Sequence, residues 1–283
     1  MKQKIRKFSD KFEIIAGPCS IESEGQINYT IKLIKEYLPQ IKYFRGGCWK
    51  PRTRPNMFEG IGCRAADWLA NITYKNNLIP VTEIGTVDHL SYCLTHLNMT
   101  TFWIGARTAG DPFAVQAIAD EISRRVVSND AYKNELYVFV KNPIAPDMDL
   151  WIGAIERILN SGISGVGAIY RGTYFEEKKR NYICENCNNI DEYLTWYKNF
   201  PDFDMIKKIH EKFPQMSIFV DPSHIAGDCR LIKHFISKMP KDLSIDGLLI
   251  ETHCNPEEAI TDRSQQLTPA QLVEVLEIYN EKA

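Results

Sequence analysis

No stretch of this 283-residue chain approaches the roughly 18 consecutive apolar residues that a membrane-spanning helix needs. The opening MKQKIRKFSDKFEII carries charge but no apolar core of signal-peptide length, so no secretory leader is expected. A basic excess is missing too. With 34 Lys and Arg against 36 Asp and Glu, the formal net charge of -2 argues against a nucleic-acid partner. Any positive patch must therefore be local and functional. A disulfide framework is also absent: eight cysteines scattered through a chain of ordinary size read as reduced thiols in a cytoplasm. Cys184-Glu185-Asn186-Cys187 has no second pair at zinc-site spacing, so it reads as ordinary thiols on a loop.

What is present is the composition of a soluble globular protein, 44% hydrophobic and 25% charged. Short apolar, β-branched runs alternate with longer amphipathic stretches, as in βα units around a parallel sheet. The predicted strands are Phe12–Ala16, Ile41–Phe44, Leu78–Thr82, Thr101–Ile104, Leu136–Val140, Val166–Tyr170, Ile218–Val220 and Ile245–Ile250. Helices are expected over Gln26–Leu38, near Gly62–Lys75, around Val87–Leu97, from Pro112, near Asp149–Asn160 and over Pro269–Tyr279. Eight such units close a barrel, so the expected fold is α/β, a (β/α)8 TIM barrel spanning residues 1–283 as one domain. The segment Gly172–Asp202 is charged and aromatic and too long for an ordinary βα loop, which marks a lid or an interface.

Each predicted strand runs into a residue able to do chemistry: Cys19, Arg45, Glu83, Arg107, Lys141, Arg171, His224 and Glu251. In a barrel these all lie at one mouth. Two constellations follow. Arg45, Lys50, Arg107, Lys141 and Arg171 are cations from different strand ends, suited to a small substrate bearing phosphate and carboxylate. Pro51 stiffens the loop that carries Lys50 and Arg52. Cys19, His224, Glu251 and Asp262 offer thiolate, imidazole and carboxylate, the donors of manganese, iron, cobalt or zinc rather than calcium.

The motifs I-A-G-P-C-S-I-E at 15–22, R-G-G-C-W-K-P-R-T at 45–53, I-G-A-R at 104–107, V-D-P-S-H at 220–224 and I-E-T-H…D-R-S-Q-Q at 250–266 resemble the type I family of 3-deoxy-7-phosphoheptulonate synthases. The resemblance runs over essentially the whole chain. It implies a barrel that condenses phosphoenolpyruvate with erythrose 4-phosphate, aided by a divalent metal, Mn²⁺ by preference with Fe²⁺, Co²⁺ or Zn²⁺ as alternatives. The implied metal ligands are Cys19, His224, Glu251 and Asp262. Phosphoenolpyruvate would meet Arg45, Lys50, Glu83, Arg107, Lys141 and Arg171, and the aldose phosphate would meet Lys50, Pro51, Arg52 and Thr53. Lys50 and His224 are the implied proton-handling residues. A related synthase that takes arabinose 5-phosphate has a different sequence at K-P-R-T, so the four-carbon sugar is favoured. Asn142–Asp147 and the long segment after Arg171 resemble a subgroup fused to a chorismate mutase, so a mutase partner, fused or in trans, and a homo-oligomer in the cytoplasm complete the expectation. Two readings compete: a lyase forming an imine at Lys141, and a non-catalytic scaffold.

Overall fold

Period-two alternation in the strands decides where the chemistry points. In a computed structural model of the chain, which describes residues 4–174 and 196–282, eight parallel strands close into a barrel in sequence order. They are β1 (Glu13–Gly17), β2 (Tyr43–Arg45), β3 (Ile79–Ile84), β4 (Thr101–Ile104), β5 (Tyr137–Lys141), β6 (Gly165–Tyr170), β7 (Ser217–Val220) and β8 (Gly247–Glu251). Both faces of a parallel sheet are covered, which is why β4 to β8 are buried along their whole length.

Successive side chains alternate between the lumen and the helical coat. Ile15, Val81, Trp103, Tyr137, Phe139, Ile169, Phe219 and Leu249 form one inner cluster. Their neighbours Ala16, Phe102, Val138, Val140, Ala168, Ile218 and Leu248 pack outward with the helices. Continuing the inward parity by two residues reaches Glu83 from Val81, Lys141 from Phe139, Arg171 from Ile169 and Glu251 from Leu249. Tyr43, packed against the same inner cluster, leads likewise to Arg45. The pattern that fills the lumen with apolar bulk thus delivers charged groups to its carboxyl end.

The opposite end is closed by the N-terminal segment. The Phe8 ring lies 4.5 Å from Tyr43, 4.8 Å from Tyr137, 4.9 Å from Phe139 and 5.4 Å from Phe219, centroid to centroid. Its N–H donates to Ser217 Oγ at 2.9 Å. Phe8→Ala is expected to cost about 2 kcal/mol, the scale of exposing one large apolar side chain, with kcat unchanged because the chemistry lies at the other mouth. Urea unfolding monitored beside activity checks this; equal midpoints for variant and parent would show that the aromatic plug carries no stability.

Thr101–Ile104 and the helix Val87–Leu97 fall where the sequence places them. Other boundaries shift. Phe12 lies before β1 and stacks on Tyr279 at 4.4 Å. Ile41 closes the turn after the first helix, its N–H donating to Leu38 O at 3.1 Å. Ile41 is buried in the core, whereas Phe12 is partly exposed and held by that stacking; neither extends the sheet. Helices Asp204–Lys212, Pro222–Ala226 and Cys229–Lys238 were not foreseen. The long segment after β6 is anchored by a bridge between Thr173 and Phe200, whose N–H groups each donate to the other's carbonyl. Cys184 and Cys187 lie outside the described residues. Among the described residues, no helix is long and apolar enough to cross a membrane.

Candidate active site

Cys19 follows β1 by two residues and is held from three directions. Its N–H donates to Gln266 Oε1 at 2.9 Å, and its carbonyl accepts from Arg45 Nη2 at 3.1 Å and Lys50 Nζ at 3.3 Å. Ligand atoms of Cys19, Glu251 and Asp262 lie within 4.8 Å of one another. Lys50 Nζ donates to Cys19 Sγ at 3.0 Å, and the thiol donates to Asp262 Oδ2 at 3.0 Å. His224 stands at the edge of this cluster, with Nε2 3.9 Å from Glu251 Oε1. Its Nδ1 lies 2.8 Å from Asp221 Oδ2. Asp221 also caps the short helix that bears His224, accepting its N–H at 3.0 Å.

The donor set fits a divalent transition ion. Glu251 is fully buried, yet its Oε1 accepts no hydrogen bond from the described residues, and buried polar atoms of that kind call for an explanation. Burial pushes the Cys19 thiol pKa up, Glu251 and Asp262 push it further, and Lys50 and Arg45 oppose them only in part. A bound cation reverses that balance by taking the thiolate directly. Burial alone would raise Asp262, but His224, Lys50, the thiol hydrogen bond and Lys198 hold it well below the carboxylate range. Asp262 is also one of four non-glycine residues with positive φ among the described residues, at 47°, a backbone state that concentrates at functional sites.

Above the cluster opens a cavity of about 330 Å³ whose wall includes Lys50, Arg52, Arg107, Lys141, Arg171 and Lys198, with Glu83, His224 and Asp262. Arg45 is buried beneath, its guanidinium 4.8 Å from the Trp103 ring centre and 3.5 Å from Glu251 Oε1. Its Nε and Nη1, and Nε of Arg171, are buried donors with no acceptor among the described residues. Burial brings Arg171 down to about 10. Donors left in this state suit an anion with several oxygens. Lys141 Nζ meets Asp221 Oδ2 at 2.7 Å, so the oxygen beside His224 also takes the Lys141 ammonium. Glu83 accepts from Trp103 Nε1 at 3.1 Å. A Cβ on Gly105 would sit 2.1 Å from Glu83 Oε1, so any side chain there would push the Glu83 carboxylate aside.

The K-P-R-T segment forms a shared wall. Lys50, Pro51 and Arg52 line both this cavity and a neighbouring one of about 340 Å³ that contains the stacked Trp49 and His89 rings. Arg52 Nε donates to Phe58 O at 2.8 Å, and Arg107 Nη2 donates to Thr53 Oγ1 at 3.3 Å, tying two loops together. Larger clefts of about 730 and 910 Å³ run along residues 4–10 at the far end of the barrel, away from this chemistry. All the residues singled out in the sequence therefore gather at one mouth: Cys19, Arg45 and Glu251 at its buried floor, the others on its wall or, as Thr53, hydrogen-bonded to it. Asp221, Trp103, Lys198, Asn199 and Gln265 were missed. Asp221 was readable, since it continues the inward parity of Phe219; Lys198 and Gln265 follow no strand and left no such signal.

A closed parallel barrel whose mouth joins a thiol–carboxylate cluster to a cation-lined cavity defines the class of this protein. Within it, this chain belongs to the DAHP synthetase I family, whose profile matches residues 2–283. It is 28% identical over 257 residues to a phospho-2-dehydro-3-deoxyheptonate aldolase of Thermotoga maritima, covering 90% of this chain and 65% of that protein. The chain thus spans somewhat less than two thirds of that relative. A crystal structure of the T. maritima phospho-2-dehydro-3-deoxyheptonate aldolase (DAHP synthase) superposes with TM-score 0.76 at 24% identity, covering 99% of this chain and 73% of that one. A truncated form of 3-deoxy-D-arabino-heptulosonate 7-phosphate synthase from the same organism gives 0.74 at 22% identity, covering 99% and 91%.

Proposed function

We propose that this barrel condenses phosphoenolpyruvate with D-erythrose 4-phosphate and water, giving 3-deoxy-D-arabino-heptulosonate 7-phosphate and phosphate in the shikimate pathway. The observation that carries this is Lys50: it lines the cation-walled cavity and touches the Cys19 thiol at 3.0 Å, joining the two constellations in one site. Family membership and the name of the curated relative support it.

Arg45, Arg107, Lys141 and Arg171 hold the carboxylate and phosphate of phosphoenolpyruvate, and Pro51, Arg52 and Thr53 shape the wall for the aldose phosphate. Held in this geometry, C3 of phosphoenolpyruvate attacks the aldehyde carbon, water adds at C2, and phosphate leaves as its bond to C2 breaks. A divalent ion on Cys19, His224, Glu251 and Asp262, manganese by preference over iron, cobalt or zinc, supplies Lewis-acid polarisation of the aldehyde. Burial lowers the Lys50 pKa, but Cys19, Glu251 and Glu83 raise it further, so the ammonium persists and can protonate the developing alkoxide. Asp221 keeps His224 oriented for proton handling. The ion pair of Lys141 with Asp221 argues against an imine at Lys141.

Erythrose 4-phosphate is expected to exceed arabinose 5-phosphate in kcat/KM by about 10- to 100-fold, the range that a pocket achieves on one extra carbon unit. Arg52→Ala should raise the KM for the aldose phosphate and leave that for phosphoenolpyruvate nearly unchanged. The reverse sugar preference would move the chain to the octulosonate branch. The same reading takes 1–283 as one catalytic domain, working in the cytoplasm as a homo-oligomer with a chorismate mutase fused or in trans.

A further inference from the structure

We propose that Lys198 is a positioning residue for the metal-ligand cluster, fixing Glu251 through Gln265 and holding Asp262 directly; this rests on the metal-assisted reading above. Lys198 lies beyond the long segment after β6, yet its backbone is tied to the helix that bears His224. Its N–H donates to Ala226 O at 3.2 Å, and the next N–H, of Asn199, donates to Ile225 O at 3.1 Å. Asn199 Nδ2 donates to His224 O at 2.6 Å. Gly227 permits this approach: its φ is 72°, and a Cβ there would stand 2.4 Å from Lys198 Cβ.

The ammonium reaches two acceptors. One is Gln265 Oε1 at 3.1 Å, and the other is Asp262 Oδ1 at 3.8 Å. Gln265 in turn donates from Nε2 to Glu251 Oε2 at 2.7 Å. A primary amide has one accepting and one donating end. With Lys198 on the oxygen, the NH₂ must face Glu251; flipped, a carbonyl would face a carboxylate. Gln265 is 1% exposed and Glu251 0%, so a mispaired amide would have no water to turn to. At Asp262 the oxygens are divided, Oδ2 taking the Cys19 thiol and Oδ1 facing Lys198. The lysine side chain is 48% exposed, so solvent screens its bulk charge. The directed bond to a buried amide is what separates it from a solvated rim lysine.

The test is Mn²⁺ binding to the metal-free 283-residue protein without substrates, read from the electron paramagnetic resonance of free Mn²⁺. Lys198→Ala is expected to weaken binding about 10-fold, as loss of an outer-shell partner does. Lys198→Gln, which keeps a donor without the charge, should recover most of the loss. In Gln265→Ala, adding Lys198→Ala should weaken binding much less than it does alone, since the path through the amide is already cut. Thermal melts confirm that each variant is folded. Unchanged Mn²⁺ affinity in Lys198→Ala with a raised KM for either phosphorylated substrate would overturn the proposal in favour of a substrate contact. Unchanged affinity and unchanged kinetics would overturn it in favour of a solvated lysine. Failure of the parent protein to bind Mn²⁺, Fe²⁺, Co²⁺ or Zn²⁺ would overturn both this and the metal reading, and parent data alone reveal it.

Discussion

Cys19→Ala is expected to reduce turnover by more than about 100-fold, the upper range for losing a mere outer-shell partner, because on the proposed reading it removes a direct ligand. The fold should survive. The alanine side chain fits the space, and the groups that lose the thiol, Lys50 Nζ and Asp262 Oδ2, carry opposite charges and sit on either side of it. Chelator should silence the parent protein and added Mn²⁺ should restore it, whereas the variant should stay silent at any accessible Mn²⁺ concentration. Metal binding must also displace the thiol proton, which burial and two carboxylates hold tightly. Apparent affinity is therefore expected to rise with pH, with proton release measurable on titration in weak buffer. Full activity in rigorously metal-free parent protein would sink the assignment, and so would a Cys19→Ala variant that turns over normally.

Much of this site could be read from the chain because a barrel converts sequence parity into position. Val81 and Glu83, Phe139 and Lys141, and Leu249 and Glu251 are each two residues apart, and the first of each pair packs in the lumen. Once eight strands are recognised, the charged member must stand above its apolar partner at the mouth. Asp221 obeys the same rule after Phe219. Its overlap with two other residues, Lys141 and His224, is a matter of three dimensions that parity does not reveal. Lys198, Asn199 and Gln265 obey no periodic rule. Their places depend on cross-loop hydrogen bonds such as Lys198 N to Ala226 O, between residues whose spacing carries no regular signal. Strand edges were misread for a related reason. Phe12 stacks on Tyr279 while partly exposed and Ile41 is buried in a turn, and apolar character alone does not distinguish a strand residue from the residues that precede it.

The floor of the site makes the last and most severe demand. Arg45 is 1% exposed and Glu251 0%, and the two charges stand 3.5 Å apart in a volume that also contains Trp103. Removing one member of such a pair leaves a buried charge uncompensated, at a cost of about 3–5 kcal/mol. Arg45→Met, which keeps much of the volume, is therefore expected to lower the melting temperature by roughly 10 °C in metal-free protein, taking about 2–4 °C per kcal/mol for a chain of this size. Turnover should fall with it, because the guanidinium also supplies the unpartnered donors and fixes the Cys19 carbonyl. The loss of stability should shrink when Mn²⁺ is added, since a bound cation balances Glu251 in place of the arginine. Combining Arg45→Met with Glu251→Gln removes both charges. The double variant should be more stable than the sum of the single effects predicts, while remaining inactive. A melting temperature for metal-free Arg45→Met within about 2 °C of the parent, equivalent to less than about 1 kcal/mol, would mean that Glu251 does not depend on Arg45 for its charge balance. The buried pair would then have no structural role at the floor of the barrel mouth.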